Sequence, residues 1–156
     1  MFRQSLRTVT KINRLAGVRT YAEAAESLKL SFSMPHDTIF INKEVTQVNV
    51  PAVSGQMGIL ANHVPIVEQL KPGVVEVLEG SNSSKFFVSG GFVSVLPESK
   101  IAITSVEAFP LDSFEPSTVK TLLAEAQKKA DSSDELAAAE ASIEVEVLEA
   151  LSTALN

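Results

Sequence analysis

An N-terminal antiparallel β-sandwich followed by a C-terminal antiparallel two-helix hairpin is the fold this sequence predicts, and three observations carry it. From Leu28 to Glu107 apolar and polar residues alternate at period two in short runs. Six of the seven glycines lie between positions 55 and 91, where they punctuate those runs. Beyond Pro110 there is no glycine and no proline after Pro116, and apolar residues return at helical spacing.

Residues 1–21 stand apart. Phe2, Leu6, Val9, Ile12 and Ala16 trace one helical stripe, and Arg3, Arg7, Lys11 and Arg14 trace its neighbour. The segment is basic, acid-free and hydroxylated, which reads as a mitochondrial transit peptide; a basic arm kept on the mature chain is the alternative. Arg19, Tyr21 and Ala22 resemble a matrix-protease cleavage pattern, with Arg three places before the new terminus.

The sandwich is expected over residues 22–112. Leu28, Leu30 and Phe32 alternate with Lys29 and Ser31, and Val48 and Val50 with Gln47 and Asn49. Val74–Leu78, Phe86–Val88, Phe92–Leu96 and Ile101–Thr104 follow, rich in β-branched and aromatic residues. Turn chemistry separates them at Met34–Asp37, Lys71–Gly73, Glu79–Asn82 and Pro97–Lys100. Val45 has the wrong parity to share a face with Val48 and Val50, so a bulge or turn is expected near Thr46. Many short strands without helical period between them imply two packed antiparallel sheets or a flattened barrel.

Residues 51–65 read as a shaped loop. Pro51 and Pro65 stiffen its ends, and Gly55 and Gly58 are placed for tight bends. Ile59 is expected to pack inward. Met57 and Leu60 are large apolar residues on an expected turn, and Met57 at the bend is the expected exposed contact. His63 has two open readings, a loop histidine bonded to neighbouring backbone and an interface residue.

The hairpin is expected over residues 113–156. Pro116 suits a first helical turn, and Val119, Leu122, Leu123, Ala126 and Ala130 share a face. Ser132 with Glu135 makes a capping-box signature, and Ile143, Val147, Leu148, Leu151 and Leu155 form a second stripe. Such a hairpin has little core of its own and must lean on the sandwich or on a partner.

Bulk properties exclude several function classes. There is no cysteine, hence no disulfide, thiolate metal site or cysteine nucleophile. His36 and His63 have no carboxylate at ligand spacing, and no phosphate loop or nucleophile-elbow motif occurs. Ser89-Gly90-Gly91, between two strand-like runs, reads as a tight turn rather than a phosphate cradle. No catalytic residue, cofactor or metal is expected. Past residue 21 eight lysines face all 19 acids, a balance of −11. Such a chain is unsuited to nucleic acid and is repelled by anionic lipid, so its partners are expected to be proteins. No apolar run approaches the roughly 20 residues that span a bilayer.

Three segments in fixed order carry a resemblance: Pro51-x-x-x-Gly-x-Met-Gly-Ile-Leu-x-x-His-x-Pro65, Leu70-Lys-Pro-Gly-Val74 and Ser89-Gly-Gly-Phe-Val93. Together they resemble the epsilon-subunit family of F-type ATP synthases, which has mitochondrial members. The resemblance implies a non-catalytic part of the rotating central stalk, on the matrix side of the mitochondrial inner membrane. It would bind the gamma subunit and the c-ring and couple proton flow to ATP synthesis. Mitochondrial members also bind a small stalk subunit, called epsilon there. The implied contact residues are Ser54, Gln56, Met57, Leu60, His63 and Pro65, shaped by Pro51, Gly55, Gly58 and Ile59.

Bacterial members of the family can extend the hairpin to inhibit hydrolysis, and some bind ATP through an Asp and Arg of the first helix. Here residues 113–156 contain no arginine and carry −6, so a permanently folded, structural hairpin is expected. A nucleotide-sensing regulator of the same complex and an unrelated matrix enzyme or ligand-binding sandwich are the alternatives.

Overall fold

The computed structural model describes residues 27–156, and the leader with Arg19, Tyr21 and Ala22 lies outside them. Ten strands come first: β1 Leu28–Ser33, β2 Thr38–Val45, β3 Gln47–Ala52, β4 Gly55–Leu60 and β5 Ile66–Leu70. Then follow β6 Gly73–Glu79, β7 Asn82–Val88, β8 Gly91–Leu96, β9 Lys100–Ser105 and β10 Ala108–Pro110. A short 3-10 turn, Leu111–Ser113, leads into helices α1, Pro116–Ala130, and α2, Glu135–Ala154.

The strands run in the order β10-β7-β6-β3-β5-β8-β9-β1-β2, with β4 on the other side of β3. The ladder thins to one register pair, Ala52 opposite Leu70, where β3 meets β5. There it folds into two layers, and alternation drives Phe32, Leu30, Val48, Val50, Val75, Val77, Val93 and Ile103 into the space between them. These side chains are essentially inaccessible to water, each worth about 1.5–3 kcal/mol of transfer energy. The far edges also meet: Phe86 on β7 stands edge-on to Phe32 and Phe40, at 5.8 and 5.7 Å, and Lys43 on β2 reaches Glu79 on β6 at 2.6 Å. The sandwich is thus half-closed into a barrel.

Sequence and structure differ in four places. The segment expected as a loop over 51–65 is mostly strand, because β3 and β4 form a hairpin whose tip is Val53-Ser54. β2, β5 and β10 carry too few buried residues to stand out by alternation. β1 pairs with β9 in parallel, the one non-antiparallel ladder among the described strands. Helix α2 is capped by Asp134, not Ser132: the Asp134 carboxylate accepts the Leu136 N–H at 3.1 Å, and the Ser132 hydroxyl accepts the Asp134 N–H at 3.2 Å. Asp134→Ala should cost about 1 kcal/mol in chemical denaturation, and Ser132→Ala a fraction of that.

Two sequence readings correspond to features of the backbone. The parity change at Val45 is absorbed by a bend at Thr46, whose N–H turns to the Leu78 carbonyl at 2.8 Å. Ser89-Gly90-Gly91 is the tight link from β7 to β8. Gly91 has φ +146°, and a Cβ there would stand 2.2 Å from the Thr104 carbonyl oxygen, so only glycine lets β8 lie this close to β9.

The helical hairpin packs on the outer face of β6 and β7. Phe87, Val119 and Leu151 are buried together, with Val74, Phe114, Val147 and Leu148 around them. Phe114 stands edge-on to both Phe87 and Phe109, at 5.9 and 6.1 Å, and so pins the linker to the sandwich.

Candidate docking surface

The residues that sequence singled out between 51 and 65 divide between core and rim. Pro51 is buried in β3, with its carbonyl accepting the Lys71 N–H at 2.9 Å. Ile59 is fully buried. Gly55, at φ +137°, lets the chain leave the tip, and nothing crowds the space a Cβ would take. Gly58 is not at a bend, as expected from sequence; it lies mid-strand opposite Asn49. A Cβ there would press on the Gln47 and Asn49 side chains at 3.1 and 3.2 Å.

Met57 requires the clearest correction. It is not at the bend but opposite Val50, half-buried and packed against the sandwich core. Its parity matches Ile59, so it points inward. The residues at the tip are Val53 and Ser54, both exposed. Leu60, Gln56 and Pro65 are exposed too, and Leu60 keeps about half its surface (51%) in solvent.

His63 is held by local backbone. Its ring Nδ1 lies 2.9 Å from the Val64 carbonyl, and its N–H donates to the Leu60 carbonyl at 3.3 Å. The neighbouring Asn62 N–H donates to the hydroxyl of buried Ser99 at 2.8 Å. Ser99 thus braces the link from β4 to β5 from the β8–β9 turn. Sequence reading missed it, since its only signal was turn composition.

Around this rim the surface is apolar. Val53, Leu60, Val64 and Val67 are all more than half exposed. On the outer face of β5 and β8, Val67 lies opposite Ser94 and Gln69 opposite Phe92, which makes Val67 and Phe92 diagonal neighbours. Phe92 is 57% exposed and Leu96 follows on the same face. The signal for this patch was present in the sequence. Val93 and Val95 point inward, so Phe92 and Leu96 had to point out. Exposed apolar residues on two adjoining strands make this face a candidate docking surface.

The outer face of β3 and β6 is polar, and Leu60, opposite Gln47, lies at its β4 edge. Asn49 donates to Glu76 Oε2 and Ser83 to Glu76 Oε1, each at 2.9 Å, while Gln47 donates to Asn49 at 2.6 Å. Lys85 stands 3.8 Å from the same carboxylate. These bonds, Asn49 first and then Ser83, with Lys85 adding less, hold the Glu76 pKa below its ordinary value of 4.5. A depressed carboxylate contributes stability above its unfolded pKa and loses it as pH falls through the folded one. Glu76→Gln should therefore lower the melting temperature at neutral pH and flatten the acid limb, so that variant and wild type converge as pH falls below about 4.5. An open cavity of about 400 Å³ lies beside this cluster, reaching Met57, Leu111 and Ala154. Among the described residues no three His, Asp or Glu side chains converge to hold a metal ion. No described helix is long and apolar enough to cross a membrane.

Residues 27–109 match the family of ATP synthase delta/epsilon chain β-sandwich domains, and residues 114–153 match the C-terminal domain of the fungal F1F0-ATP synthase epsilon subunit. A mitochondrial ATP synthase subunit delta from Kluyveromyces lactis is 66% identical over 159 residues, covering all of both chains. The chain belongs to the mitochondrial delta-subunit family of F-type ATP synthases. Another family member, from Saccharomyces cerevisiae, is 61% identical over 141 residues, 88% of each chain. A chain in the Euglena gracilis mitochondrial ATP synthase OSCP/F1/c-ring structure superimposes with TM-score 0.83 at 29% identity, covering 89% of this chain and 88% of that one. A chain in the Tetrahymena thermophila central stalk and c-ring structure shares the fold at TM-score 0.60 and 13% identity, covering 86% of this chain and all of that one. In this delta-subunit family, then, the apolar rim is a feature of an ATP synthase component.

Proposed function

We propose that this chain is a non-catalytic rotor subunit that joins the gamma subunit to the c-ring and passes torque between proton flow and ATP synthesis. The observation that carries it is the exposed apolar rim of Val53, Leu60, Val64, Val67 and Phe92 on a stiff, closely packed sandwich. A torque-bearing part needs rigidity behind its contacts, and a two-layer core in which no buried side-chain polar atom of the described residues is left unbonded supplies it. The Euglena match, solved in an assembly with F1 and a c-ring, supports the same place for this chain on the matrix side of the inner membrane.

Within this reading Ser54, Gln56, Leu60, His63 and Pro65 belong to the contact surface, and Met57 supports them from beneath. Phe92 and Val67 extend it across β8 and β5. The hairpin remains folded against β6 and β7 and serves as structure, since its nine acids disfavour an excursion towards acidic partners. The small stalk subunit of mitochondria would sit near the junction of sandwich and hairpin. The leader, residues 1–21, would direct import and be removed after Tyr21.

Because the chain has no cysteine, single-cysteine variants report contacts cleanly. Leu60→Cys, Val64→Cys and Phe92→Cys in assembled enzyme should cross-link to gamma or c subunits. Ile41→Cys, 75% exposed on β2, should remain unlinked. Cross-linking from position 41 alone would overturn the assignment.

A further inference from the structure

Among the described strands three pair on one side only: β2 with β1, β10 with β7 and β4 with β3. An open strand edge offers unpaired N–H and C=O groups to any extended chain, and natural proteins defend such edges with charge, proline, brevity or bulges. β2 carries Lys43 and Glu44, bends at Asn42 (φ +48°) and meets β1 with shifts in register. β10 has three residues and ends in Pro110. Both are defended.

β4 has none of these devices. Its six residues, Gly-Gln-Met-Gly-Ile-Leu, hold no charge and no proline, and they pair with β3 without a shift from Gly55 to Leu60. It lies within residues 45–67, a stretch with no Asp, Glu, Lys or Arg in a chain that has 13 basic and 19 acidic residues. The direction of its backbone follows from its neighbours. The Pro51 carbonyl and the Val53 N–H bond to Lys71 and Gln69, away from β4. Val48, Val50 and Ala52 therefore bond towards β4, to Ile59, Met57 and Gly55. Gln56, Gly58 and Leu60 turn their N–H groups to the free edge. Gly58 presents no side chain there, and Leu60 adds apolar surface.

We propose that β4 accepts an extended, uncharged peptide segment of a neighbouring subunit as an added strand. Ladder hydrogen bonds would supply the hold, and the lack of charge on β4 selects a segment without charge, since a charged side chain laid along it would lose water without finding a counter-ion. The proposal rests on the reading that this chain docks within the ATP synthase.

Hydrogen exchange and one pair of variants test it. In the assembled enzyme the Gln56 and Gly58 amides should exchange at least about tenfold more slowly than in the isolated full-length chain, as bonded ladder amides do. Gln56→Pro removes an edge N–H and should weaken retention in the enzyme roughly five- to tenfold, the scale of one hydrogen bond. Gln56→Ala loses the same side chain but keeps the N–H, and should be retained better than Gln56→Pro by that factor. Equal exchange in both states, or equal retention of the two variants, overturns the proposal. Protection that appears in the isolated chain together with a doubled mass overturns it too, by making a second copy the occupant. If the wild-type chain is not retained in the enzyme at all, the docking function itself fails; retention with an unprotected edge sinks only strand addition.

Discussion

Gly91→Ala should unfold the sandwich at temperatures where the wild-type chain is fully native. The new Cβ would stand 2.2 Å from the Thr104 carbonyl oxygen and 2.9 Å from the Ser105 Cα, both backbone atoms that cannot swing aside. The φ of +146° adds strain for any residue with a side chain. Relief requires β8 and β9 to part, and their ladder holds six consecutive register pairs at the heart of one layer. The expected cost is about 4 kcal/mol or more, a large share of the stability of a domain this size. Gly80→Ala is the matched control. It shares positive φ, at +60°, but has open space where its Cβ would go, so only the backbone cost of about 1–2 kcal/mol applies. Urea denaturation followed by circular dichroism separates the two, and comparable midpoints would refute the close-approach account.

Leu60→Asp should release the subunit from its complex and leave its own fold intact. Half the side chain is in water, so a carboxylate there has little to disturb in the free chain. Against a covering partner the same carboxylate would be buried without a counter-charge, at about 2–5 kcal/mol, or some 30-fold or more in affinity. Met57→Asp, the substitution that sequence alone suggests, is a poorer probe. Met57 packs on the core opposite Val50, so the charge would lower the melting temperature as well as the docking. Native gels of assembled enzyme and melting of each purified variant distinguish the cases. A Leu60→Asp chain that assembles at wild-type levels would remove Leu60 from the interface.

Much of the architecture was legible in the sequence, for reasons that can be traced to residues. Val74–Leu78, Phe92–Leu96 and Ile101–Thr104 are β-branched or aromatic and bury alternate positions, so period two reports them directly. Pro116 and the helical stripes mark the hairpin by the same logic. β2 escaped because its outward and inward positions are both largely polar or half-exposed, with Val45 its one buried residue. β4 escaped because two glycines and a flanking proline imitate a loop, although Met57 and Ile59 keep strand parity. The cap of α2 was misplaced by two residues because Ser132 and Asp134 both precede Glu135 and both can cap. The extended backbone of Asp134, φ −83° and ψ 111°, decides between them. The β1–β9 pairing joins strands about 70 residues apart, and no local pattern encodes it.

Exposed apolar residues within 51–65 were legible in the sequence, but which residues they are was misjudged in part. Segment 51–65 does carry exposed apolar residues, but they are Val53, Leu60 and Val64 rather than Met57. Phe92 and Val67 join them only through the pairing of β5 with β8, which brings together residues 25 apart.

The most direct test of the central claim is affinity purification of a tagged full-length copy from mitochondria, followed by native gels and mass spectrometry. The rotor account predicts recovery with gamma and c subunits in one high-mass band, and loss of that band with Leu60→Asp. Recovery of the folded chain as a free monomer, with no other ATP synthase subunit beside it, would contradict the account.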